Sequence, residues 1–187
     1  MSVLRKRWII LRHPHARVKF GRYTHVGPNF SLHIPSDGTF IVGDAVEFRH
    51  GFRAEVAHGA SVRIGSHSRF TYDVLIQCGG SIEIGEHCMF GQSTSIFDGN
   101  HRFRELDRPM LEQGYDLKPV KIEDHATVTT KCTIIGSIGT RSFIGANSVV
   151  TRDIPPSVVA VGVPARPIDY FGPPGEEPVE AVAGSAK

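Results

Sequence analysis

The chain has 187 residues, 40% of them hydrophobic and 21% charged, the balance of an ordinary soluble domain with a substantial core. A net charge of +2 excludes the strongly basic footprint of a nucleic-acid-binding protein. Cys78, Cys88 and Cys132 are odd in number and widely spaced, which suggests neither a disulfide framework nor a zinc ribbon, and a reducing cytoplasm is the expected location.

The first segment is basic. Arg5, Lys6, Arg7, Arg12, Arg17, Lys19 and Arg22 all precede the first acidic residue, Asp37. With Trp8-Ile-Ile-Leu11 beside them, residues 1–17 read as a basic capping segment, with weak contact to an anionic membrane surface as a second use. Four apolar residues can neither span a bilayer nor form a signal-peptide core.

From residue 18 a repeat begins. Val18-Lys-Phe20-Gly21, Phe40-Ile-Val42-Gly43, Val62-Arg-Ile64-Gly65, Ile82-Glu-Ile84-Gly85 and Val120-Lys-Ile122-Glu123 fit one template, and Ile138-Gly139 leads on to Ile144-Gly145. Within a unit the apolar positions advance by six, as in Ile64, Phe70, Ile76 and Ile82. An α-helix of 3.6 residues per turn cannot hold that spacing, and a β-sandwich predicts a period of two. Three short β-faces joined by tight corners do hold it, each face sending one apolar side chain inward. The expected fold is therefore an all-β parallel β-helix of about six coils over residues 18–171, in which each coil buries its apolar face against its neighbours.

The ladder breaks twice. From Ile84 to Ile122 is 38 residues, which places an inserted loop at about 98–119, following Ile96-Phe-Asp-Gly-Asn-His101. From Ile122 to Ile138 is 16, two fewer than three six-residue faces, with Ile134-Ile-Gly-Ser-Ile138 as the shortened part. His67, His87 and His125 share one repeat position, three residues after Ile64, Ile84 and Ile122, and should stack in a column. Three imidazoles can hold zinc, so a metalloenzyme is one alternative. Residues 172–187 lack an apolar period and read as a flexible tail.

The stretch Ile144-Gly-Ala-Asn-Ser-Val-Val-Thr-Arg-Asp-Ile-Pro-Pro-Ser-Val-Val-Ala-Val-Gly-Val-Pro-Ala-Arg166 resembles the last coil and coenzyme A site of hexapeptide-repeat acyltransferases, in particular the galactoside and maltose acetyltransferases. That resemblance implies a left-handed helix, a homotrimer, and an acyl-CoA donor, acetyl-CoA above others, with no metal. It implies an acceptor hydroxyl on a sugar or glycoconjugate, and His101, on the interrupting loop, as general base. Asp98, Glu105 and Asp107 lie near enough in sequence to orient the imidazole, and Asp98 stands as the candidate. Arg166 matches a position contacting the nucleotide phosphates, a task that suits a guanidinium, while Thr151 and the backbone at Ala146 match other coenzyme contacts. Thr127 stands where many relatives carry Trp. Alternative functions are N-acylation of an amino sugar, a γ-carbonic-anhydrase-like metalloenzyme, and a non-catalytic β-helix.

Overall fold

The computed structural model describes residues 2–178, so most of the expected tail, residues 179–187, lies outside it. The repeat segments stack as expected. Arg17–Phe20, Thr39–Val42, Ser61–Ile64, Ser81–Ile84 and Val120–Ile122 form the first face, all parallel. Their register is the one the template implies: Val18 lies beside Phe40, Phe40 beside Val62, Val62 beside Ile82, and Ile82 beside Val120. Single bridges from Ile122 to Ile138 and from Ile138 to Ile154 extend this face by two more coils. The second face runs from His25–Val26 to Val158–Gly162 and the third from Ser31–His33 to Val149–Val150. The molecule is thus a left-handed parallel β-helix of six complete coils and a partial seventh.

Close stacking explains the Gly that follows each apolar pair. A Cβ on Gly65 would lie 2.5 Å from the carbonyl carbon of Gly85 in the next coil, well inside contact distance. Two residues later the chain turns through a left-handed conformation, at Ala45, His67, His87, His125 and Arg141, with φ between 55° and 62°. Non-glycine residues are held there because each donates its N–H to the coil before, His67 to Asp44 and His87 to Ser66. The histidine column is real, but its rings lie flat on one another, at 4.7 Å and 9° for His67–His87 and 5.2 Å and 10° for His87–His125. Among the described residues no group of His, Cys, Asp and Glu is arranged to hold a metal ion.

The helix tapers. Its wide first coils take 22 residues per turn and are filled by phenylalanines, with Phe48, Phe70 and Phe90 stacked at 5.0 and 4.7 Å. The last two coils take 16 residues each and are filled by Ile and Val. The short step from Ile122 to Ile138 is therefore no isolated deletion, since the step from Ile138 to Ile154 repeats it. Both corners are tight: a Cβ on Gly136 would meet the Arg152 carbonyl oxygen at 2.5 Å.

Both ends of the stack are covered. An α-helix, Ser2–Arg12, lies over the first coil and buries Ile9. No Gly or Pro interrupts this run, and the backbone restriction before Pro14 ends it. Its side chains satisfy the open edge of the second face: the Ser2 hydroxyl accepts the Val26 N–H, Arg5 donates to the Val26 carbonyl and Lys6 to that of Thr24. Two of the N-terminal cations are thereby spent on backbone carbonyls. At the other end, Ala165–Tyr170 turns back antiparallel along Val158–Gly162. Among the described residues no helix is long and apolar enough to cross a membrane.

Candidate active site

The chain leaves the stack after Phe97 and returns at Val120, and between them it forms a hairpin. Gly99–His101 pairs antiparallel with Tyr115–Leu117, setting His101 opposite Tyr115. Lys118 donates its N–H to the Asp98 carbonyl, closing the base of the hairpin. Gln113, buried in the tip, binds the Glu105 and Arg108 carbonyls and accepts the Glu105 N–H. On the outside Arg102 pairs with Asp116 at 2.6 Å, and Lys118 pairs with Asp153 of the last coils at 2.9 Å. The Ser137 N–H and then the Lys118 ammonium hold the Asp153 carboxyl below its ordinary range.

Asp98 is buried, at 2% exposure, and its carboxylate accepts the Gly79 and Gly80 N–H groups at 2.7 and 2.8 Å and the Cys78 thiol at 3.3 Å. None of these hydrogen bonds goes to His101. The Asp98 carboxylate is taken up by the Gly79 and Gly80 N–H groups at the coil corner, although Asp98 lines the same cavity as His101. Asp98 faces the coil and anchors the hairpin to the Gly-Gly corner, where the Leu117 side chain sits so close that a Cβ on Gly79 would meet it at 2.7 Å. Glu105 pairs instead with Arg108. The side chain against the His101 ring is Tyr115, at 4.3 Å between centroids and 41° between planes.

Between the hairpin and the third face lies a cavity of about 670 Å³. His101, Asn100, Tyr115 and Leu117 form one wall, and His33, Glu55, Gln77, Thr133 and Ile135 the other. Cys78 lines it as well, with its thiol pushed up to about 12, first by burial and then by the Asp98 charge. Sequence reasoning missed most of this second wall because outward positions obey no hydrophobic period. The signal that could have found it is the spacing of His33, Glu55 and Gln77, 22 residues apart like the wide coils themselves.

The other expected site residues lie toward the C-terminal end. Ile135 donates its N–H to the Val150 carbonyl, so Thr151 stands one coil beyond the cavity wall on the same edge. Ala146 is exposed at the corner between the second and third faces, and Arg166 is exposed on the returning strand, its guanidinium bound to the Ala165 carbonyl. These two are not brought to His101 within one chain. Thr127 sits on the second face beside Met89 and Phe143, away from the cavity.

A tapering coil stack with one inserted hairpin carrying a histidine beside a cavity defines the fold class, a left-handed parallel β-helix of hexapeptide repeats. No family model matches the chain. It is 30% identical over 114 residues to the galactoside O-acetyltransferase of Escherichia coli, covering 60% of this chain and 55% of that one. Among solved structures, a hexapeptide-repeat acetyltransferase of Vibrio cholerae complexed with acetyl coenzyme A superposes with a TM-score of 0.63 at 25% identity, over 91% of this chain and 79% of the other. A maltose O-acetyltransferase of Clostridium difficile superposes with a TM-score of 0.53 at 26% identity, over 90% and 76%. The chain spans about half the length of the curated relatives it matches.

Proposed function

We propose that the protein transfers an acetyl group from acetyl-CoA to a hydroxyl of a sugar or glycoconjugate, with His101 as general base. The observation that carries this reading is the placement of the His101 imidazole in the wall of a ligand-sized cavity, on a hairpin that the coil stack itself does not need. A hydroxyl attacking a thioester must lose its proton as the carbon–oxygen bond forms, and a positioned imidazole accepts it, a contribution of about 10²–10⁴ in rate. The tetrahedral intermediate then expels the coenzyme thiolate, which takes the same proton back. Tyr115 holds the ring in place by contact, and Asp98 acts one step further out by fixing the hairpin base.

Transfer is direct. The only thiol lining the cavity, among the described residues, is Cys78, and with its acidity pushed to about 12 it is a poor nucleophile at working pH. An acyl-cysteine intermediate is thereby disfavoured. The donor enters from the C-terminal side, past Ile135 and Thr151, with Ala146 along its path and the exposed Arg166 guanidinium meeting its phosphates. The galactoside and maltose O-acetyltransferases among the similar proteins support O-acylation, with N-acylation of an amino sugar as the alternative. The protein works as a homotrimer, in which Arg166 of one subunit serves His101 of another. The hairpin tip supports this, because Phe103, Leu106 and Leu111 are 63%, 97% and 80% exposed and want a cover.

The test is a panel of acetyl-CoA and longer acyl-CoA donors against hydroxyl and amino sugars, followed by release of thiol. Sugar-dependent release with a hydroxyl acceptor supports the reading. Release with amino sugars alone would replace it by N-acylation, and no release with any pair, together with no coenzyme A binding, would leave a non-catalytic β-helix.

A further inference from the structure

One wall of the cavity is built from the same outward position of successive coils. His33, Glu55 and Gln77 project outward from the third face in three successive coils, His33 beside Glu55 and Glu55 beside Gln77. Gln77 in turn lies beside Phe97, the last residue before the hairpin. Strands stack about 4.8 Å apart, so the ladder from His33 to Phe97 runs roughly 14 Å. The Gln77 amide donates to the Glu55 carboxylate at 2.8 Å, which fixes both polar ends on a wall exposed to solvent. Beyond the first coil the ladder does not stop. His33 also lines a second cavity of about 410 Å³, shared with Trp8, Arg12 and His13 of the N-terminal segment. Trp8, the only tryptophan in the chain, is 61% exposed, with the Arg12 guanidinium 5.9 Å from its ring.

We propose that the ladder His33–Glu55–Gln77, ending at Trp8, is an extended acceptor groove that binds a linear oligosaccharide, so that the acceptor is the end of a glycan chain and not a single sugar. This rests on the acyl-transfer reading above and deepens it. A sugar hydroxyl both donates and accepts, and the wall matches it: the Glu55 carboxylate accepts, the Gln77 amide does both, and the His33 imidazole does both as a neutral ring. Trp8 offers the broad amphipathic face on which the C–H side of a pyranose ring can lie. The donor leaves this end open, since Thr151 places it on the opposite, C-terminal side of His101. One pyranose with its linking oxygen advances about 5 Å, a few bonds of roughly 1.5 Å, so the ladder holds about three units and Trp8 a fourth.

The experiment uses the full chain and linear glucose, galactose and N-acetylglucosamine oligomers of one to six units. Fluorescence of the single tryptophan is titrated with each series, and acetyl-transfer kinetics are run in parallel. Trp8 emission should change and saturate with tetrasaccharides or longer of at least one series, and not with monosaccharides. In that series KM should fall about tenfold or more from one to three units and level off at three or four. The double variant Glu55→Ala/Gln77→Ala should lose this length dependence, its KM no longer falling from one to three units, and Trp8→Ala should lose only the step to the fourth unit. No emission change with any oligomer, or a length dependence intact in the double variant, would overturn the groove. The titration needs no turnover, so failure of the acyl-transfer reading and failure of the groove are seen separately.

Discussion

Replacing Asp98 by Ala removes the acceptor for two backbone N–H groups, those of Gly79 and Gly80, and for the Cys78 thiol. A buried donor left without its partner costs about 1–3 kcal/mol. Two such donors at a corner that opens on the cavity, where water can replace part of the loss, give about 2–4 kcal/mol in total. At about 2–4 °C per kcal/mol for a chain of this size, Tm should fall by roughly 5–15 °C. Asp98→Asn keeps one carbonyl oxygen and turns an amide toward the other donor, so it should cost about half as much. Thermal melts of the three proteins followed by circular dichroism give the comparison. A Tm for Asp98→Ala within a degree of the parent would refute the anchoring role and return Asp98 to the search for a partner of His101.

Three further outcomes follow from the same contacts. Phe70 is fully buried between Phe48 and Phe90, so Phe70→Ala should destabilise by about 3–5 kcal/mol in denaturant melts. Cys78, with its thiol acidity pushed to about 12, carries about one part in ten thousand of thiolate at pH 8, so native protein should resist iodoacetamide there; Asp98→Asn, by removing a neighbouring negative charge, should raise the alkylation rate seen by mass spectrometry. Asp44, held by the Arg22 N–H and guanidinium, Glu123, by Lys121 and Thr140, and Asp153, by the Ser137 N–H and Lys118, all have folded-state pKa values below their ordinary ones. Their contribution is complete above the ordinary carboxyl values of 3.8 and 4.5 and is lost as pH falls below them, so Tm should drop on acidification from pH 5 to pH 3.

The inward half of the fold was legible because a parallel stack forces the same kind of side chain onto the same place in every coil. Val18, Phe40, Val62, Ile82 and Val120 announce their register without any tertiary information. The taper was not, since a corner shortened by two residues looks like a local deletion until the next coil repeats it at Ile154. Nor was the helix Ser2–Arg12, whose register of basic and apolar residues suits the rim of the first coil and has no repeat to compare with. At the site, the insertion exposed His101 because it breaks the period. The anchoring contacts of Asp98 were not legible, because their partners Gly79 and Gly80 stand a whole coil earlier in the sequence. The pair Gly79-Gly80 was a usable signal: two glycines at one corner mark a place where something packs close, here Leu117 and the Asp98 carboxylate.

In the proposed reaction the hairpin histidine takes the proton of an acceptor hydroxyl. Release of coenzyme thiol from acetyl-CoA should be followed for the parent and for His101→Ala with the best hydroxyl acceptor of the panel, beside melts and donor binding on the same samples. Turnover should fall by about 10²–10⁴ at the same Tm and the same affinity for acetyl-CoA. Turnover retained within a few-fold would contradict it.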